Sequence, residues 1–245
     1  MTLSELQGTP RPPRLDRLVI ATKNPGKITE LRELLAGLRV EVLGLADVGV
    51  DTVEPEETGA TFLENATIKA LDYARQTGLP CLADDSGLIV DALDGRPGVI
   101  SSHYAWDGET TGEPATLTRA QRDERNTQRL LQELTGTPDD QRTARFTCTM
   151  VLAGARILLT SSGTFEGRIA RAPHGNGGFG YDPVFLAAPD FSVTAAELAP
   201  DDKNAHSHRG HAVRAMIVQI ETLASPAADA SDEASPPPPP VPPIE

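Results

Sequence analysis

From Ala144 onward the chain alternates, with Ala144, Phe146, Cys148, Met150 and Leu152 separated by Arg145, Thr147, Thr149 and Val151. A period of two over this length fits a strand with one face in a core. It predicts a strand pair, continued by residues 156–161 and 164–169. The chain before it has another rhythm. Leu18-Val19-Ile20-Ala21 is a short β-branched run, followed by Asn24 as N-cap, Pro25 at the first helical position, and Ile28, Leu31, Leu34, Leu35 and Leu38 at helical spacing. Thr61-Phe62-Leu63-Glu64 is a capping box opening a second helix, whose apolar face is Leu63, Ala66, Ala70 and Tyr73 and whose stop is Gly78-Leu79-Pro80. A third helix over residues 117–134 buries Thr127, Leu130, Leu131 and Leu134. Ser207 caps a last helix carrying Val213, Met216, Ile217, Ile220 and Leu223. Strand and helix units combined with an antiparallel stretch restrict the chain to an α/β fold around a mixed sheet.

The ends differ from this middle. Arg11-Pro12-Pro13-Arg14 closes a stretch, residues 1–14, that reads as a flexible leader. Residues 225–245, with Pro236 to Pro240 followed by Pro242 and Pro243, read as a disordered proline-rich tail. The folded domain is expected over residues 15–224.

Charge and apolar patterning exclude two classes of partner. No apolar run reaches the roughly 18 residues of a membrane span, and residues 1–14 lack the apolar stretch of a secretory signal. Cys81 and Cys148 fall in predicted strands and read as reduced core thiols of a cytoplasmic protein. Net charge is −13, and since the tail holds four acids and no base, the remainder still carries −9. That field repels a nucleic-acid backbone. A small phosphate-bearing ligand needs only a few local donors and a metal ion.

Such a ligand is what the chemistry-bearing residues suggest. In Ala83-Asp84-Asp85-Ser86-Gly87 two adjacent carboxylates end the apolar run Leu79 to Leu82, and are expected on a tight turn between two short strands, 81–83 and 88–90. Like charges side by side call for a cation, which points to Mg²⁺. Glu54, Glu56 and Glu57 form a second acidic cluster, with Asn65 and Lys69 one turn apart on the helix that follows. Thr22-Lys23-Asn24-Pro25-Gly26-Lys27 lies between a strand and a helix N-terminus, where free amides and two lysines favour an anion; the same turn also caps ordinary surface helices. It lacks the spacing of a Walker loop. Gly177-Gly178-Phe179-Gly180-Tyr181-Asp182-Pro183 sets two aromatics among glycines, able either to stack a base or to tuck into a core. Lys203 and Ser207-His208-Arg209-Gly210 put positive side chains at a helix start, where the dipole gives them nothing.

Taken together, Thr22-x-Asn24-x-x-Lys27, Glu56-Glu57-Thr58-Gly59 with Glu64-Asn65-Ala66, the acidic run at 83–87, residues 178–183 and residues 207–210 resemble the Ham1/RdgB family of inosine triphosphate pyrophosphatases. The resemblance covers about Leu18 to Leu223. It implies an elongated two-lobed fold around a long mixed sheet, with the active site in the cleft between lobes. It implies a homodimeric, Mg²⁺-dependent hydrolase converting dITP, ITP and XTP to monophosphate and pyrophosphate. By motif, Asp85 would be general base and metal ligand, Glu56 the other metal ligand, and Ser86 a substrate contact. Residues Thr22 to Lys27 would grip the triphosphate, with Phe179, Gly180, Tyr181, Asp182, Lys203, His208 and Arg209 around the base. The family commonly has an Arg-Tyr pair after the Pro-Gly that follows the acidic run; here Pro97-Gly98 leads to His103-Tyr104, and the stretch 106–115 is longer than usual. Two rival readings remain at this point: a Maf-like nucleotide pyrophosphatase, which lacks the Ser-His-Arg-Gly motif, and a nucleotide-binding module without turnover, which would have little use for clustered acids.

Overall fold

A computed structural model of the chain describes residues 15–108 and 116–224. The expected leader and tail, and most of the long stretch after Trp106, lie outside the described residues.

The first strand, β1 (Arg17–Ile20), leads through a short loop into α1 (Pro25–Leu35). Asn24 caps this helix as expected, its Oδ1 accepting from the amides of Gly26 at 3.0 Å and Lys27 at 3.4 Å, and Pro25 sets the first turn. After β2 (Glu41–Gly44) comes α2 (Phe62–Thr77), opened by the Thr61/Glu64 capping box and closed by Gly78 in the left-handed region, φ +69°. Ala66, Ala70 and Tyr73 are buried, but Leu63 is 48% exposed. The buried stripe of α2 is rotated away from Leu63 and includes Asn65 and Lys69, two polar residues that an apolar-periodicity argument leaves out.

The principal correction concerns the acidic run. It is not a turn: β3 runs without interruption from Cys81 to Val90 and pairs antiparallel with β4 (Thr143–Gly154) over ten consecutive residues, Asp84 opposite Met150 and Asp85 opposite Thr149. Asp, Ser and Gly are turn formers, yet here Gly87 answers a close approach, since a Cβ on it would lie 2.5 Å from Ser101 Oγ and 2.9 Å from the Phe62 ring. β5 is likewise a single strand, Ile157–Ile169, hairpinned to β4, and β6 (Phe185–Ala187) completes the sheet. The order is β2-β1-β3-β4-β5-β6, with β1 parallel to both β2 and β3 and the rest antiparallel. The third helix, α3, spans Arg119–Glu133 behind a Thr118 cap, followed late in the chain by α4 (Pro200–His206) and α5 (His208–Ala224).

Three apolar clusters fill the molecule. One packs α1 and α5 on Leu82, Cys148, Met150 and Leu152. A second packs α2 on Cys81, Ala83, Val151 and Ala153, the alternate residues of the same strands. The third gathers the far ends of those strands, Leu88, Val90, Ala144 and Phe146, with Leu130 and Leu134 of α3 and its C-cap and with Tyr104 and Tyr181. The long strands thus run from one pair of clusters into another, giving the sheet two lobes. Asp84, Asp85 and Ser86 fall between Ala83 and Leu88, at the waist where no cluster claims them.

Candidate functional site

Because β3 is extended, its successive side chains leave on opposite faces. Asp84 and Asp85 are neighbours in sequence and belong to different environments. Asp84, on the face covered by α1 and α5, is met by Lys27 Nζ at 3.0 Å and Arg209 Nη2 at 3.3 Å. Burial alone would raise its pKa, but Lys27, Arg209 and Lys69 outweigh burial and hold the carboxyl below the usual range. Asp85, on the α2 face, accepts from Lys69 Nζ at 3.0 Å and Asn65 Nδ2 at 3.3 Å. Here burial prevails, with Glu57 adding to it against Lys69 and Lys27, and the pKa is pushed up to about 6. The two carboxyls are therefore shifted in opposite directions by unlike surroundings. The cations expected from outside are in part the protein's own.

Lys69 is shared. Its Nζ also reaches Glu57 Oε2 at 3.0 Å, and Asp85, Glu57 and Asp84 raise its pKa against burial, so it stays charged. Glu57 rather than Glu56 makes this bridge, while Glu56 is exposed on the rim of the same cavity. Among the described residues no group of three or more His, Cys, Asp or Glu gathers into a closed metal-ligand set. Mg²⁺ does not require one: it takes one or two carboxylates and completes its shell with waters and phosphate oxygens. Asp85 and Glu56, oxygen donors on one cavity, fit that demand.

The cavity, of about 860 Å³, brings most of the predicted residues together. Thr22, Lys23, Asn24 and Lys27 line it from the β1–α1 loop, Asp85 and Ser86 from β3, and Phe179 to Asp182, His208 and Arg209 from the opposite end. Pro25, Gly26 and Lys203 do not line it. Gly26 is instead the spot where Phe179 crosses from the glycine loop, since a Cβ there would lie 2.8 Å from the ring. The free amides expected at the α1 N-terminus are also largely taken, Gly26 and Lys27 by the Asn24 side chain and Ile28 by the Asn24 carbonyl. The cationic groups of this turn are Lys23, which donates to the Thr52 carbonyl at 3.2 Å, and Lys27, paired with Asp84.

At the other end the two aromatics part company. Tyr181 is buried, its hydroxyl donating to the Ser101 carbonyl at 2.8 Å, so it is core and not a stacking surface. Phe179 remains, with Lys203 Nζ at 5.1 Å, Arg119 at 5.6 Å and Arg209 at 5.8 Å from its ring centroid. Asp182 accepts from the Phe179 amide and from Lys203, both at 2.8 Å. Lys203 continues to Glu30 at 3.0 Å, and Glu30 is bonded in turn by Arg209 Nη1. Arg209 Nη2 reaches Ser86 at 3.0 Å as well as Asp84. One buried chain of ion pairs thus joins the glycine loop to the acidic strand, with Glu30 of α1 at its centre.

His208 stacks on Phe146, centroids 5.0 Å apart and planes at 16°. Burial, reinforced by Arg209 and Lys203, holds its pKa well below the ordinary value, so the ring is neutral near pH 7. Its Nδ1 and the Nε of Arg209 are buried without a hydrogen-bond partner. A buried polar atom without a partner is costly, and both residues line the cavity.

Sequence reasoning missed Glu30, Asn126 and the α3 residues Arg119, Arg122 and Asp123, which line the cavity or hold its wall. Asn126 had a signal of sorts, a polar residue on the buried stripe of α3. Glu30 had none, because its partners lie 173 and 179 residues away.

The model of the Ham1 family matches residues 18–219. The chain belongs to the Ham1 family. It is 46% identical over 206 residues to a dITP/XTP pyrophosphatase of Shigella flexneri, covering 83% of this chain and 97% of that one. It is 44% identical, with the same coverage, to the dITP/XTP pyrophosphatase of Escherichia coli K12. Among solved structures it is similar to a HAM1 protein from Coxiella burnetii, at 41% identity and TM-score 0.70 over 84% of this chain and 98% of that one. A nucleoside-triphosphatase, dITP/XTP pyrophosphatase, from Mycobacterium abscessus gives TM-score 0.62 at 41% identity, over 82% and 97% of the two chains. Most of the cavity lining falls within the matched residues 18–219.

Proposed function

We propose that this protein hydrolyses dITP, ITP and XTP to the nucleoside monophosphate and pyrophosphate, removing deaminated purines from the nucleotide pool, with Mg²⁺ as cofactor. The observation that carries the reading is Asp85: a buried carboxylate on β3, held by Lys69 and Asn65, in one cavity with a lysine-bearing loop and Phe179. The names of the relatives support the substrate class.

Asp85 and Glu56 would hold the metal, which when bound supplies charge to neutralise the phosphates and the leaving pyrophosphate. In this mechanism Asp85 accepts a proton from the attacking water, whose oxygen bonds to phosphorus as the bridge between the first two phosphates breaks. Lys69 and Asn65 fix the carboxylate and Lys23 and Lys27 bind phosphate oxygens. The purine lies against Phe179. His208 with its proton on Nδ1, and Arg209 through Nε, would donate to the O6 of hypoxanthine or xanthine, and adenine would present an amino donor to them instead. A homodimer in the cytoplasm is part of this proposal.

Pyrophosphate release from ITP, dITP, XTP, GTP, ATP and dTTP, with and without Mg²⁺, tests it. Release from the 6-oxopurine nucleotides ITP, dITP and XTP, dependent on Mg²⁺, is the expected result. Preference for dTTP would favour the Maf-like alternative, and binding without release would favour a non-catalytic module.

A further inference from the structure

The loop over residues 177–183 has two successive amides that need partners. Gly178 and Gly180 are both left-handed, φ +71° and +63°, and glycine surrenders more chain freedom than any other residue when such a loop is fixed. At Gly178 a Cβ would collide with the Asp182 carboxylate, so packing helps to fix that residue. At Gly180 nothing lies within 4 Å of where a Cβ would be. No side chain crowds the Cβ side of Gly180, so its left-handed backbone is read from its hydrogen bonds.

Two successive amides of the loop are each captured by a carboxylate: Phe179 N by Asp182 Oδ2 at 2.8 Å, and Gly180 N by Asp123 Oδ2 at 2.9 Å. The first bond is local. The second comes from α3, 57 residues earlier in sequence. The Asp123 side chain is only 16% exposed, Arg119 Nε lies 3.9 Å from it, and burial raises its pKa against the Gly180 amide, Arg119 and Arg122. It occupies this position because α3 is itself anchored. Asn126, one turn on, donates to the carbonyls of Ser101 and Ser102 and accepts from the Ala105 amide, while Tyr181 closes the circuit by its bond to Ser101. On its other side the same turn of α3 presents Arg119 toward Phe179.

We infer that Asp123 is a positioning residue for base binding: from α3 it fixes the Gly180 amide and thereby the direction in which Phe179 faces the cavity. The inference rests on the reading of the cavity as a nucleotide site and deepens it. Asp123 touches no reacting atom. Its removal acts on the affinity for the base-bearing half of the substrate and leaves the phosphate half alone.

The experiment uses the full chain, IMP and pyrophosphate as probes, and amide hydrogen exchange on the protein without ligand. In Asp123→Ala the expected rise in the Kd for IMP and the KM for ITP is about tenfold, the loss of one hydrogen bond to a charged acceptor. Turnover at saturation should stay within about twofold, pyrophosphate inhibition should be unchanged, and peptides covering residues 175–183 should exchange faster. Asp123→Asn keeps an oxygen that accepts the Gly180 amide, and should recover most of the IMP affinity. Unchanged exchange at 175–183 in the alanine variant overturns the inference. So does unchanged IMP affinity, or IMP and pyrophosphate affinities falling in step. If the wild-type protein releases pyrophosphate from no nucleotide, the functional reading fails, and the exchange measurement still decides whether Asp123 holds the loop.

Discussion

Replacing Arg209 with Ala puts the buried ion-pair chain and the base-recognition reading to the same test. The substitution removes the bond to Glu30, the 3.3 Å pair with Asp84 and the 3.0 Å bond to Ser86. Neither carboxylate is stranded, because Asp84 keeps Lys27 at 3.0 Å and Glu30 keeps Lys203 at 3.0 Å. The cost therefore belongs at the low end for breaking a buried pair, about 3 kcal/mol. For a chain of this size that lowers the Tm by about 6–12 °C. Calorimetry with a parallel urea titration measures it. Below the transition the folded variant should lose kcat/KM for ITP by roughly tenfold or more, the worth of a charge-assisted bond to O6, while ATP changes much less. A Tm shift under about 2 °C would refute the view that Arg209 is the central cation of the chain. Equal losses for ITP and ATP would place the guanidinium on the phosphates.

Three further outcomes are expected. Asp85→Asn, nearly isosteric, should fold normally and lose roughly 10²-fold or more in turnover, so a variant keeping above about a tenth of wild-type turnover in saturating Mg²⁺ removes Asp85 from the role of base. Glu30 is held below its ordinary pKa because Arg209 and Lys203 outweigh burial, so its ionised form contributes stability at neutral pH that is lost as pH falls through the lowered folded-state value. The Tm gap between wild type and Glu30→Gln should accordingly narrow as pH falls from about 5 to about 3, and a constant gap would count against the pairing. Deleting residues 225–245, a proline-rich segment without apolar periodicity, should leave turnover and Tm nearly unchanged, and a clear drop in either would show that it packs.

The local grammar of the chain was readable: the Asn24-Pro25 cap, the Thr61/Glu64 box, the alternation from Ala144 and the Ser207 cap all stand where the sequence puts them. What misled was chemistry that serves two purposes. Asp84 to Gly87 has the composition of a turn, and only the ten-residue pairing with β4 and the crowding over Gly87 keep it extended. Apolar spacing places Leu63 in the core, whereas the buried stripe of α2 carries Lys69, whose ammonium bonds Asp85. Tyr181 and Phe179 look alike in sequence and differ by one contact, the Ser101 carbonyl. Glu30 and Asp123 act on partners that only the tertiary fold brings near.

Pleat parity in β3 makes the site intolerant of a particular kind of change. Adjacent acids are addressed to opposite faces, so a one-residue slip that carried Asp84 to Lys69 would leave Ala83 facing Lys27 and Arg209, and a slip the other way would carry Asp85 to Lys27 and Arg209 and leave Ser86 facing Lys69. Every other property of the sequence, its composition, charge and motif, would survive such a slip untouched. A single-residue insertion between Cys81 and Asp84 should thus take the carboxylate away from Lys27 and Arg209 and lower the Tm measured by calorimetry, while a conservative replacement at the same positions does not. The catalytic address is written in counting as much as in residue type, and the ladder of Cys81 to Val90 against Ala144 to Ala153 is what keeps the count.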